Sequence, residues 1–212
     1  MIMKKLLIIA SIIITACSAK AALAVPNLQL YIEGAIYDTV TETWISTASD
    51  FILQVIGAND PIYDVKLVAA VPTGESGTIT VDSNVLGPYT FGIPITGNGS
   101  PLAPHGIYPT DYAAYSIGDF GLIETVYDLI PGGSGSALGE IKEFNVSVSG
   151  FSWAHFDAFD HVVLNDNHTK YVSAPFSHDA EVVPEPASLL LLGSGLLGFT
   201  LFGRAKRKKI SA

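Results

Sequence analysis

Hydrophobic and polar residues alternate with a period of two in several parts of the chain. In residues 144–148, Phe144, Val146 and Val148 alternate with asparagine and serine, which predicts a strand with one buried face. Further strands are predicted where alternation or β-branched and aromatic residues dominate, at residues 27–33, 51–55, 63–71, 78–81 and 162–164. Turns are predicted at the glycine- and proline-containing clusters of residues 57–61, 97–101 and 131–135. Many short strands with frequent turns indicate an all-β fold, an antiparallel β-sandwich of jelly-roll or immunoglobulin-like type.

Residues 104–112 depart from this pattern. They contain too much proline and glycine for a strand, and too many aromatic residues for a free loop. We therefore expect an ordered loop whose Tyr108 and Tyr112 pack over the sandwich.

The N-terminus has the layout of a secretory signal. Lys4 and Lys5 precede an apolar run over residues 6–16, and Ala22 and Ala24 provide the small residues of a cleavage site. This pattern predicts a signal peptide over residues 1–24. An alternative is that residues 14–17 act as a lipobox and that Cys17, the sole cysteine, is lipidated.

The C-terminus combines three features in order. Pro184, Glu185 and Pro186 precede sixteen uncharged residues, 187–202, which predict a short transmembrane helix. A basic tail follows, and its charges belong on the cytoplasmic side. The basic residues are Arg204, Lys206, Arg207, Lys208 and Lys209.

This arrangement over residues 184–212 resembles the PEP-CTERM sorting signal of Gram-negative bacteria. The resemblance implies recognition by an exosortase, transient anchoring in the inner membrane, and transfer to the cell surface or extracellular matrix. An ordinary single-span anchor with a coincidental Pro-Glu-Pro motif is the alternative. The predicted secreted domain then spans residues 25–183.

Several sequence segments of that domain resemble the family called choice-of-anchor N. The matching segments are residues 25–34, 105–112, 150–161 and 174–179. Families of this name share a domain and differ in their surface anchor, so the resemblance implies a location and no particular activity.

Charge is distributed unevenly along the 212 residues, whose formal net charge is −9. Residues 25–183 hold three lysines against 19 aspartates and glutamates, a formal charge of −16, whereas both ends are basic. An acidic domain lacks the basic patch that nucleic-acid binding requires. It would also repel an anionic polysaccharide unless cations bridge the two.

Polar residues late in the domain are candidates for binding a divalent metal. His155 and Asp157 would share one face of a strand, and further imidazoles and carboxylates follow. The full candidate set is His155, Asp157, His161, His178 and Asp179. Their spacing matches no specific zinc pattern, so solvent-facing or loop-bonded side chains remain the alternative; calcium is the other ion considered, because carboxylates suit it.

The residue pattern favours a binding or structural role over catalysis. No combination of residues has assignable catalytic roles, so we predict neither an enzyme nor an obligatory cofactor. We expect a structural or adhesive function with exopolysaccharide. A carbohydrate-binding module is an alternative, with stacking rings drawn from Trp44, Trp153, Tyr108, Tyr112 and Tyr115.

Overall fold

A computed structural model describes residues 25–103 and 106–184, and within them the chain forms strands and one short 3-10 turn. The strands are β1 (Leu28–Ile32), β2 (Ile36–Asp38), β3 (Thr43–Ser46), β4 (Asp50–Ala58), β5 (Ile62–Val71), β6 (Thr78–Val81), β7 (Asn84–Val85), β8 (Thr90–Gly92), β9 (Thr110–Phe120), β10 (Glu124–Tyr127), β11 (Ser136–Ser149), β12 (Ala154–Val163), β13 (Thr169–Ser173) and β14 (Ala180–Val182). The 3-10 turn is Phe176–His178.

These strands form two sheets, which confirms the all-β class. The first sheet has the order β1-β4-β11-β6-β7, with β10 also paired to β11. The second has the order β2-β3-β14-β12-β5-β9-β8, with β13 also paired to β12. The expectation of a fully antiparallel fold needs one correction, because β14 pairs with β3 in parallel. A long stretch of chain separates these two strands, and such a connection permits parallel pairing.

The bounds of the predicted strands agree with those of the observed strands to different degrees. Residues 78–81 form a strand with the predicted bounds, and the prediction at 27–33 exceeds β1 by one residue at each end. Residues 144–148 lie within the fourteen-residue β11. The prediction at 162–164 was too short and placed too late, because the strand there runs from Ala154 to Val163. Its start contains histidine and aspartate, residues that do not signal a buried strand.

The segment 104–112 was only partly predicted. Its end, from Thr110, belongs to β9, so Tyr112 lies in a strand that pairs with β5. Tyr108 does lie in the loop, and it packs on the sheet with 7% of its surface exposed.

Apolar side chains are buried in two places that matter for the site. The main core lies between the sheets and contains alternate residues of β12, namely Phe156, Ala158 and Val162. A smaller cluster also includes Phe159 of β12, together with Val68, Ala70, Leu102 and Tyr108. The segment of residues 93–103 and 106–109, called the covering segment below, contributes to this cluster. Strand β12 is therefore buried on both faces.

Predictions about the two ends fall largely outside the described residues. These are the signal peptide with Ala22 and Ala24, the alternative at Cys17, Glu185 and Pro186, the membrane segment and the basic tail. None of the helical structure in the described part of the chain is long and apolar enough to cross a membrane.

Candidate functional site

Polar residues of two neighbouring strands meet beneath the covering segment. His155 and Asp157 alternate along β12, so they share one face. Strand β14 pairs His155 with Glu181, and continuing that antiparallel register places Asp179 opposite Asp157. We call His155, Asp157, Asp179 and Glu181 the His155 cluster.

The imidazole of His155 lies between carboxylates on both sides. Its Nε2 atom is 3.5 Å from Asp179 Oδ2 and 3.8 Å from Asp157 Oδ2. Its Nδ1 atom is 3.5 Å from Glu181 Oε2. The hydroxyl of Tyr108, in the covering segment, donates a hydrogen bond to Asp157 Oδ2 at 2.8 Å. The cluster thus connects the sheet to the segment above it.

Burial removes the charged groups of this cluster from water, so that they act strongly on one another's pKa values. Asp157 and Asp179 are fully buried, and His155 is 1% exposed. Burial by itself lowers the pKa of His155, but the carboxylates of Asp179, Glu181 and Asp157 outweigh it and raise the pKa to about 10. Burial and the neighbouring Asp157 charge likewise raise the pKa of the Tyr108 hydroxyl. In the absence of a metal, His155 is therefore an imidazolium that offsets the buried carboxylates.

The same atoms form a set of metal ligands. One nitrogen or oxygen from each of His155, Asp157 and Asp179 lies within 4.8 Å of the others. Imidazole nitrogen and carboxylate oxygen are the ligands that zinc and related ions accept. The cluster can therefore hold either a proton on the imidazole or a divalent ion.

The other two predicted ligands lie in separate interactions. His161 Nδ1 is 2.6 Å from Asp160 Oδ1, and the His161 ring contacts those of Tyr63 and Tyr171. His178 contacts Ser177 through Nδ1 at 2.9 Å and Asp128 through Nε2 at 3.1 Å. The structure brings together His155, Asp157 and Asp179, and leaves these two histidines with other partners.

Sequence reasoning missed Glu181 and the polar role of Tyr108. A signal for Glu181 was available, because Asp179-Ala180-Glu181 repeats the polar–apolar–polar pattern of His155-Phe156-Asp157. Two such triplets on paired strands place four polar groups on one face. No local feature indicated that the Tyr108 hydroxyl reaches this face.

The five rings considered for sugar stacking serve mainly in packing. None of them is in the exposed class, and Tyr108 is buried. Trp44 makes edge contacts with Tyr31 and Tyr37 at ring-centroid distances of 4.9 and 5.1 Å. The structure therefore shows no exposed platform among these five residues.

Two of the three lysines in the acidic domain are engaged within the fold. Lys66 Nζ lies 3.5 Å from Asp160 Oδ2, and Lys142 Nζ donates hydrogen bonds to the carbonyls of Ile117 and Asp119. Little positive charge is left to attract an anionic partner directly.

Comparisons with known proteins identify the C-terminal segment. Residues 182–208 match the PEP-CTERM protein-sorting motif. No functionally curated protein shows significant sequence similarity to the chain. The resemblance of the middle domain to the choice-of-anchor N family stays a prediction.

Several solved structures match this chain at low similarity. The human F-spondin reeler domain is 9% identical, with a TM-score of 0.30 over 80% of this chain and 99% of that one. The collagen-binding subdomain of the Enterococcus faecalis surface protein ACE is 6% identical, with a TM-score of 0.23 over 74% and 97%. A putative membrane-anchored protein from Corynebacterium diphtheriae is 11% identical, with a TM-score of 0.27 over 75% and 36%. Similarity at this level carries no functional argument.

The sorting motif is therefore the informative match. The chain is a β-sandwich protein with a PEP-CTERM sorting motif at its C-terminus, which implies processing by an exosortase and sorting to the cell surface.

Proposed function

We propose that the chain is exported through the inner membrane of a Gram-negative bacterium, held there transiently by its C-terminal segment, and released by an exosortase. The acidic sandwich then serves a structural or adhesive role with exopolysaccharide, at the cell surface or in the extracellular matrix. The role is one of binding and not of catalysis.

The position of the sorting motif carries this proposal. The matched segment begins at Val182, which is also the last residue of β14. The fourteen strands that the structure describes therefore all precede the Pro-Glu-Pro sequence that starts at Pro184. Cleavage near that sequence would release the sandwich with these strands in place.

Replacing Pro184, Glu185 and Pro186 by alanine tests the sorting step. We expect the altered chain to stay in the membrane fraction with its tail attached, because the enzyme no longer recognises it. Membrane fractionation and intact-mass measurement in a strain that carries the exosortase would show this.

Asp166→Ala is the matched control for that experiment, since Asp166 is an exposed side chain remote in sequence from the motif. It should be processed like the unaltered protein, and deletion of the exosortase should reproduce the effect of the triple alanine variant. Normal processing of the triple alanine variant would contradict the proposal.

The adhesive role predicts a requirement for divalent cations. The folded domain has a formal charge of −16 and two of its three lysines make internal contacts. We expect binding to an anionic exopolysaccharide to need calcium at about 1 mM, the range typical of extracellular calcium sites. A chelator should abolish it, and high salt should weaken it by screening.

Retention on immobilised polysaccharide, measured with calcium, with chelator and with added salt, checks this expectation. A neutral polysaccharide is the control, because calcium should not change its retention of the protein. Equal binding of the anionic polymer with calcium and with chelator would contradict cation bridging.

A further inference from the structure

Asp157 and Asp179 form a buried pair of like charges beside the imidazole of His155. Both are fully buried; Asp157 lies on β12, and Asp179 directly precedes β14, opposite Asp157 when the register of the two strands is continued. Like charges in this position are destabilising, and more so away from water. The three carboxylates of the His155 cluster carry three negative charges when ionised, and a divalent ion offsets more of that charge than the single charge of a protonated imidazole does.

The orientation of the His155 ring also favours an ion. The ring is 1% exposed, and neither nitrogen has a hydrogen-bond partner among the residues that the structure describes. Nε2 faces Asp157 and Asp179, while Nδ1 faces Glu181. A metal-bound histidine characteristically directs its other ring nitrogen at a carboxylate in this way.

The distances fit ligands around an ion better than direct hydrogen bonds. Nε2 is 3.5 and 3.8 Å from the two aspartate oxygens, beyond the usual limit of about 3.2 Å for a hydrogen bond. Ligands bound tetrahedrally at about 2.0–2.2 Å lie roughly 3.4 Å from one another. The Tyr108 hydroxyl, which donates to Asp157, supplies the hydrogen bond that a ligating carboxylate usually accepts.

We propose that His155 Nε2 and the carboxylates of Asp157 and Asp179 bind one zinc ion, with Glu181 and Tyr108 orienting these ligands. A mixed nitrogen and oxygen set of three suits zinc, whereas calcium takes six to eight oxygens. Through Tyr108, the ion fixes the covering segment to β12 and β14. This site does not depend on the adhesive role proposed above.

Metal content after refolding is the primary test. The full chain, in detergent, is unfolded with a chelator and refolded with or without zinc chloride, because the site is too buried to load rapidly in the folded state. We expect about one zinc per chain to survive dialysis of the zinc-refolded sample. At zinc concentrations of about 100 times Kd, the Tm should rise by about 5 °C or more.

Three variants separate this site from adventitious binding. Asp179→Asn removes a ligand while keeping its shape and should abolish retention of zinc. Glu181→Gln leaves the ligands in place and should weaken zinc affinity about 10- to 100-fold. His168→Gln is the matched control, because His168 and Asp166 form an exposed pair 2.7 Å apart, and it should retain zinc like the unaltered protein.

Each outcome decides the proposal. Loss of zinc retention in Asp179→Asn together with a lower zinc affinity in Glu181→Gln supports the proposal. If Asp179→Asn does not fold, the zinc affinity of Glu181→Gln alone decides. Failure of the refolded wild-type chain to retain zinc would overturn it. So would loss of zinc in His168→Gln, unchanged affinity in Glu181→Gln, or preferential retention of calcium from an equal mixture.

Discussion

Replacement of His155 by alanine is expected to destabilise the folded protein by about 3–5 kcal/mol in the presence of a chelator. The imidazolium is the positive charge between Asp157 and Asp179, both fully buried. Removing it takes away the positive charge that lies between these two buried carboxylates. The free energy of unfolding from urea denaturation, followed by tryptophan fluorescence, measures the loss.

His168→Ala is the control for this experiment, because it removes an exposed histidine that also pairs with an aspartate. It should change stability little, since exposed pairs are solvated and screened. Adding Asp179→Asn to His155→Ala should recover part of the loss, because one of the opposing charges is then gone. If His155→Ala were as mild as His168→Ala, the buried ion cluster would be contradicted.

Gly139→Ala is expected to cost about 3 kcal/mol, near the upper end for overpacking a core. A Cβ atom at Gly139 of β11 would clash with the carbonyl oxygen of Gly57 on β4 and lie 2.8 Å from Cγ2 of Val126. The clash with Gly57 involves the backbone of a paired central strand, which cannot rotate away as a flexible side chain can. The strands must therefore separate locally.

Gly121→Ala provides the matched control. A Cβ atom there would meet Glu140 Oε2 and Ile123 Cγ2 at 3.5 Å, which is ordinary van der Waals contact. We expect it to cost less than about 1 kcal/mol. Urea midpoints for the two variants, compared with the unaltered protein, give the difference. Equal stabilities of the two variants would contradict the prediction, because β4 and β11 could then move apart without loss of folding stability.

Strand β6, which has one buried face, was the easiest to predict: residues 78–81 gave correct bounds because Ile79 and Val81 are buried and alternate with more exposed threonines. The prediction at 27–33 extended one residue beyond β1 at each end. Strand β12 was predicted only at its end, since both its faces are buried and one of them carries His155 and Asp157. Hydrophobic–polar alternation reveals a strand when one of its faces is buried and the other is exposed. It does not reveal a strand whose two faces are both buried.

The candidate metal ligands were also only partly predictable from local sequence patterns. The sequence named His155, Asp157 and Asp179 within a larger set, but it also named His161 and His178, which bond elsewhere. Residues 155 and 157 are neighbours on one strand, so local geometry relates them. Their relation to Asp179 depends on the register between β12 and β14, which no local pattern specifies.

The sequence by itself determined the β class, the acidic charge of the domain and the C-terminal sorting motif, because each is a property of contiguous residues or of composition. The tertiary structure decided which polar residues are buried together and what covers them. Strand pairing brings β12 beside β14, and Tyr108 of the covering segment bonds to Asp157, so that His155, Asp157 and Asp179 lie together and almost fully buried. Without that burial these three side chains would be ordinary solvated groups, since the charge of a carboxylate becomes costly only when water is excluded.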